Sequence, residues 1–280
     1  MINQEIVTAN QIRYRRYPNF PSQFVAARNV DVWCPPGYSE QLDRRYPVIY
    51  MHDGQNLFDP ALAYAGVTWG VAETLTRLAD EKFREAIVVG IWNNGEERRR
   101  EYMPQKPLDD PAAIDLKAEY LAQQKGEPVS DYYLRFIVEE LKRFIDCNYQ
   151  TQPDRANTIV IGSSMGGLIS LYALVEYPEI FGKAACLSTH WTIGGTLLVD
   201  YLGNALPRSG QHKLYFDYGT LGLDSDYEPY QQRMDKWLQA AGYVQNQDCL
   251  TLKFEGEEHS EHAWKTRLDI PLRFLLGNSL

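Results

Sequence analysis

A chain of 280 residues with 44% hydrophobic and 23% charged side chains can bury a sizeable core and has the balance of an ordinary globular protein. Its formal net charge of -9 argues against a nucleic-acid surface, which needs clustered lysine and arginine. No stretch approaches a membrane span, and the start, Met1-Ile2-Asn3-Gln4-Glu5-Ile6, has no basic or apolar leader region, so a cytoplasmic protein without a membrane partner is expected. The one basic run, Arg98-Arg99-Arg100, is flanked by acids and reads as a solvated or ion-paired loop. Cys34, Cys147, Cys186 and Cys249 lie far apart with no Cys-x-x-Cys pair, and are expected to be free thiols, three of them buried.

Alternation predicts antiparallel strands at Ile12 to Tyr17 and Arg28 to Cys34, the second stopped by Pro35-Pro36-Gly37. The apolar run Tyr46 to Met51 fits a buried strand. It ends in His52-Asp53-Gly54-Gln55-Asn56, the place where α/β sheets hold their ligands. Trp69 to Phe83 has helical spacing, Ala86 to Trp92 reads as another buried strand, and Asn93-Asn94-Gly95 closes it. Between Met103 and about Val129, prolines and mixed charge surround a weak helical pattern at Ile114 to Leu121. A segment this long is a candidate cap or insert, at about 103–130. Asp131 to Tyr149 is strongly amphipathic.

Thr158 to Ile161 is a β-branched run that leads into Gly162-Ser163-Ser164-Met165-Gly166 and then a helical stretch, Leu168 to Val175. Gly-x-Ser-x-Gly between a strand and a helix is a nucleophile elbow, and only Ser164 fits its frame, because Ser163 would need glycine where Ile161 stands. Further strands are expected at Lys183 to Leu187, Leu214 to Tyr218 and Cys249 to Phe254. Helices are expected at about Tyr230 to Ala241 and at His262 to Leu276, the last interrupted near Pro271. Strands alternating with helices from residue 46 onward imply one domain over 1–280. A mostly parallel twisted sheet with helices on both faces and antiparallel N-terminal strands is expected and, with the elbow, an α/β-hydrolase fold.

A serine hydroxyl needs a base, and the base needs an orienting acid. In this fold the order along the chain is serine, acid, histidine. His52 precedes the elbow, and His212 starts a strand away from the catalytic edge. His190, beside Trp191 after the next strand, is placed for structure or substrate contact. His259 and His262 remain, and His259 lies in the loop just beyond the last strand, whereas His262 opens the final helix. For the acid, Asp217 belongs to a strand, while Asp224, Asp226 and Glu228 lie in the loop that follows, and position alone does not choose among these three. The oxyanion is expected to be received by the backbone N–H groups of Met165 and Gln55. Neither cofactor nor metal is implied, since His259 and His262 do not form His-Glu-x-x-His.

Three motifs together resemble a known family: His52-Asp53-Gly54-Gln55-Asn56-Leu57-Phe58-Asp59, Gly162-Ser163-Ser164-Met165-Gly166-Gly167 and His259-Ser260-Glu261-His262-Ala263-Trp264. They are similar to the esterase family that holds enterochelin esterases, feruloyl and acetyl-xylan esterases, S-formylglutathione hydrolases and mycolyl transferases. The likeness runs from about Arg28 to Leu276 and includes Gly90-Ile91-Trp92-Asn93, Arg100-Glu101-Tyr102 and Asp217-Tyr218-Gly219-Thr220. It implies Ser164 as nucleophile, His259 as base five residues before Trp264, and the loop from Gly219 to Asp224 as carrier of the acid. Asp224 sits mid-loop, free to turn inward, whereas Asp226 is close to Pro229 and the next helix.

The expected activity is therefore hydrolysis of a small-molecule carboxylic ester through an acyl-enzyme, on short-acyl, phenolic, sugar or siderophore esters. Acyl transfer by the same residues is the alternative, and a silent binding protein on this fold is a third reading. His52, Asp53, Trp92, Asn93, His190 and Trp191 are expected at the substrate, with Trp69, Trp92, Tyr102 and Trp191 as aromatic walls. Self-association is left open.

Overall fold

The computed structural model describes residues 2–39, 43–124 and 126–277. Lys125, inside the predicted insert, lies outside these residues. The chain opens with strands β1 (Glu5–Ala9), β2 (Ile12–Phe20) and β3 (Arg28–Trp33). β1 gave no signal in the sequence because it is an edge strand with exposed side chains. It joins β2 through Asn10 and Gln11, both at positive φ (47° and 67°), the backbone a two-residue hairpin needs to follow the strand twist.

From β4 (Val48–His52), strands and helices alternate: α1 (Val71–Asp80), β5 (Ile87–Ile91), α2 (Arg98–Tyr102) and α3 (Ile114–Gln123). A long helix over 130–148 comes next, built of α4 (Ser130–Arg135), a π-helical turn (Phe136–Leu141) and α5 (Lys142–Asn148). Then come β6 (Thr158–Ser163), α6 (Met165–Glu176), β7 (Lys183–Leu187), α7 (Gly195–Asn204), β8 (Lys213–Gly219) and α8 (Glu228–Ala240). β9 (Cys249–Phe254), α9 (Glu261–Arg267) and α10 (Asp269–Leu276) close the chain. The predicted interruption falls at Leu268. Pro271 instead sits in the first turn of α10, where its missing N–H costs nothing.

The nine strands form one sheet in the order β1-β2-β3-β5-β4-β6-β7-β8-β9. Pairs from β1 to β5 are antiparallel, and the six strands from β5 to β9 run parallel. This is an α/β-hydrolase fold. Side chains alternate between two cores: Tyr50 and Val160 join the one under the long helix, α6 and α7, while Ile49, Met51, Ile159 and Ile161 join the one under α1 and α10. Both faces are thus covered, which is why β4, β5 and β6 read as unbroken apolar runs.

In the segment 103–130, Met103, Leu108, Ala113 and Tyr120 are buried in the larger core, so it is packed down on the sheet's helices. Lys106 pairs with Glu176 of α6, and Asp131 accepts a hydrogen bond from the Tyr172 hydroxyl. Among the described residues no cysteine is in a disulfide; Cys186 and Cys249 are buried, Cys34 half-buried and Cys147 exposed, so two rather than three are buried. Among the described residues no helix is long and apolar enough to cross a membrane.

Candidate active site

The C-terminal ends of the parallel strands bring the candidate residues together. Ser164 follows β6 with φ 56° and ψ −123°, a conformation costing on the order of 1–3 kcal/mol. Its backbone is pinned: the N–H donates to the Leu187 carbonyl (2.9 Å), and its carbonyl accepts from the N–H groups of Leu168 (3.1 Å) and His190 (3.2 Å). A Cβ at Gly162 would lie 2.4 Å from the Gly166 oxygen, so the elbow closes only around glycine.

His259 lies in the loop between β9 and α9, its Nδ1 2.5 Å from Asp224 Oδ1. The edges of Trp264 (centroids 5.0 Å) and Tyr227 (5.9 Å) confine the imidazole. Asp224 is 1% exposed, whereas Asp226 is exposed to solvent. Burial alone would raise the Asp224 pKa. Hydrogen bonds from His259, from Ser188 Oγ (2.6 Å) and from the Gly219 N–H (2.6 Å) outweigh it and hold the carboxyl below its ordinary value. An ionised Asp224 keeps the proton on Nδ1 and leaves Nε2 free to accept one.

The Asp224 carboxylate has its own support. Ser188, at φ 42° after β7, accepts from Trp264 Nε1 and Arg267 Nη2, both at 3.0 Å. Arg267 also grips Asp217 (2.8 and 3.2 Å), which takes the Tyr215 hydroxyl as well (2.9 Å). Asp217 is therefore a buried anchor, in keeping with its place inside β8. No spacing in the sequence points to Ser188 or Arg267.

Gln55 and Met165 each stand in the first turn of a helix, the one-turn helix Gly54–Asn56 and α6, where N–H groups have no partner within the helix. The two turns touch: a Cβ on Gly166 would meet Asp53 Oδ2 at 3.3 Å. Asp53 itself is held by Arg98 through two bonds (2.6 and 2.7 Å) and by Asn93 Nδ2 (2.7 Å). Burial works against its charge, yet Arg98 and Asn93 keep its pKa below the ordinary value. The arginine run is thus helix α2, ion-paired at Arg98, rather than a loop.

Several expected substrate contacts need correction. His52 (2% exposed) and Asp53 (6%) are buried, with His52 Nδ1 bonded to the Tyr133 hydroxyl at 2.8 Å. Trp191 (1%), Trp69 (2%) and Tyr102 (0%) are core side chains; Trp191 stacks on Phe216 and donates to Gln231. Trp92 is half-buried, but its indole donates to Asp31 (2.9 Å) and its ring lies under Arg16. His52, Asp53, Trp92 and Trp191 lie at or after strand ends while Trp69 precedes α1 and Tyr102 ends α2, and the direction of each side chain takes it into the protein or onto a neighbour.

His190 is half-buried and its Nδ1 lies 2.6 Å from the Tyr227 hydroxyl. Burial, then the charges of His259, Arg99 and Arg98, lower its pKa to about 4, so it is neutral near pH 7. Burial also raises the Tyr227 pKa, which keeps the phenol protonated and able to donate. A phenol donating to Nδ1 puts the imidazole proton on Nε2. Burial raises the Glu261 pKa, opposed first by its own backbone N–H; Asp53 adds to the rise, and His259 and Arg98 oppose it. His262 is exposed on α9. Among the described residues no group of three or more His, Cys, Asp or Glu could hold a metal ion.

The chain is 22% identical to the uncharacterized protein YbbA of Bacillus subtilis (strain 168) over 258 residues, covering 90% of this chain and 94% of that protein. The solved structure of an IroE-like serine hydrolase from Shewanella oneidensis superimposes with a TM-score of 0.68 at 20% identity, over 94% of this chain and 80% of that one. A ferulic acid esterase of the anaerobic fungus Anaeromyces mucronatus gives 0.61 at 16% identity, over 99% and 90%. The sequence model of the family described as "Putative esterase" matches residues 23–269. That match covers most of the chain, which therefore belongs to this family of carboxylic ester hydrolases.

Proposed function

We propose that the chain cleaves small esters by a Ser164–His259–Asp224 triad through an acyl-enzyme. Ser164 Oγ attacks the ester carbonyl while His259 Nε2 takes its proton, and the ionised Asp224 stabilises the imidazolium. The N–H groups of Gln55 and Met165 receive the oxyanion. His259 then returns the proton to the leaving alcohol, and water, deprotonated by the same nitrogen, releases the acid. The observation that carries this reading is the 2.5 Å bond between His259 and a buried Asp224, at the strand edge where Ser164 sits in a left-handed turn.

Polar rim groups, among them His190, Asn93 and Glu261, favour a compact polar alcohol over a lipid, and the likeness to a ferulic acid esterase agrees with a phenolic ester. His190 would offer Nε2–H to the substrate. The test is fluorophosphonate labelling of wild type and Ser164→Ala, followed by an ester panel in which acyl length and leaving group vary separately. Labelling only of the wild type, a loss of about 10⁴-fold or more in turnover in the variant, and preference for C2 over C16 acyl groups are expected. Retained turnover in a folded Ser164→Ala protein would refute the triad; faster C16 cleavage would refute the substrate class.

A further inference from the structure

A large cavity lies at the other end of the sheet from Ser164. It has a volume of about 1140 Å³ and opens where the parallel strands begin. Lys183 starts β7 and Lys213 starts β8, Arg155 precedes β6, and Arg84 precedes β5. From Lys183 to Ser188, which supports the catalytic acid, β7 spans about 16 Å at its usual rise. The cavity is thus a separate place in the fold.

Its charge is opposite to that of the chain. Five cations line it (Arg84, Arg155, Lys183, Lys213 and Arg273), against one acid, Asp248, in a protein of net charge -9. Arg273 is already neutralised by Glu81 and Asp269. The other four have neutral partners. Arg84 donates to the side-chain oxygens of Gln152 (2.7 Å) and Asn157 (2.6 Å), and Arg155 to that of Gln211. Lys183 donates to the Leu275 carbonyl (2.6 Å), and Lys213 lies over the Phe274 ring.

Burial and then the like charges of Arg84 and Lys213 lower the Lys183 pKa to about 8, with Asp154 opposing. Burial also lowers that of Lys213, opposed by Asp248. Lys183, repelled by Arg84 and Lys213 and held only by a neutral carbonyl, would be stabilised by an anion between them. Guanidinium and ammonium groups lining one cavity match the several oxygens of a phosphate. The volume exceeds what a bare ion needs and lies just above the roughly 300–1,000 Å³ usual for small-molecule sites.

We propose that this cavity binds a phosphate group, free or carried by a small phosphorylated molecule, independently of the ester site. The test is calorimetric titration of the full chain at pH 7 with inorganic phosphate and, separately, with a sugar phosphate, against sodium chloride at matched ionic strength. Saturable one-to-one binding is expected. Lys183→Met and Arg155→Gln should each weaken it about tenfold or more, while fluorophosphonate labelling of Ser164 keeps its wild-type rate. Phosphate should also slow acetylation of Lys183 at pH 8, because a bound anion favours the protonated amine.

Tighter binding of the sugar phosphate than of phosphate assigns the site to a phosphorylated molecule, and equal or weaker binding assigns it to free phosphate. Heats no greater than those of chloride, or binding that survives both substitutions, would overturn the proposal. Should Lys183→Met fail to fold, Arg155→Gln and Lys213→Gln decide the matter by the same titration.

Discussion

At the scale of residues, the acid is where the assignment is sharpest. Asp224 is buried and bonded to His259, whereas Asp226 two residues on is exposed. Asp224→Asn should therefore cut turnover by up to about 10⁴-fold with little change in stability, and Asp226→Asn should cost little. The reverse result in steady-state rates would move the acid to Asp226. Ser188 is a positioning residue with a distinct signature. Ser188→Ala removes one of the hydrogen bonds that hold the Asp224 pKa down, and it leaves Trp264 Nε1 and one Arg267 donor without their acceptor. The Asp224 pKa should rise, so activity on the acid side should begin to fail at higher pH than in the wild type. A loss of about tenfold in kcat with KM unchanged should accompany it. An unmoved acid limb would show that Ser188 only packs.

At the scale of elements, the site depends on one crossing between two loops. The Glu257 carbonyl, just before His259, accepts from the N–H groups of Thr220 and Leu221, both at 3.1 Å. This latch ties the histidine loop to the acid loop. Gly219 makes it possible, since a Cβ there would stand 2.3 Å from the Glu257 oxygen and 3.1 Å from Asp224 Oδ2. Gly219→Ala should force the loops apart and lower both kcat and the rate of fluorophosphonate labelling by about 10²-fold, because an ångström of misplacement is enough to do so. A variant that labels at the wild-type rate would mean that the latch yields without moving His259.

At the scale of the whole molecule, His52 and His190, both desolvated, contribute to the response to acid. Burial is the main cause that lowers His52 from 6.5 to about 3 and His190 to about 4. Both are neutral in the folded protein while the unfolded chain protonates near pH 6.5, so their contribution is fully present above that value and is lost as pH falls toward their folded values. Between pH 6.5 and 4 the loss should be on the order of 5 kcal/mol, a large part of a typical folding free energy. Urea unfolding across this range checks it, and His52→Gln should flatten the slope. A stability independent of pH over that interval would contradict the burial of both rings.

Local chemistry made the central strands, the elbow and the histidine loop readable in the sequence. β4, β5 and β6 are apolar on both faces, and Gly162-Ser163-Ser164-Met165-Gly166 permits one strained turn whatever surrounds it. The edge strand β1 was hidden because solvent imposes no pattern on it, and α7 because its start, Gly194-Gly195, reads as a turn. Aromatic residues at strand ends could face a cleft or the core. Only packing put Trp69, Tyr102 and Trp191 in the core, since side-chain direction there is set by the helices that cover the sheet. The contacts of Ser188 with Asp224, of Arg267 with Ser188 and of Tyr227 with His190 bridge separations of 36, 79 and 37 residues. Such contacts leave no periodicity or motif in the chain, and they exist only once β7, β8 and β9 lie side by side.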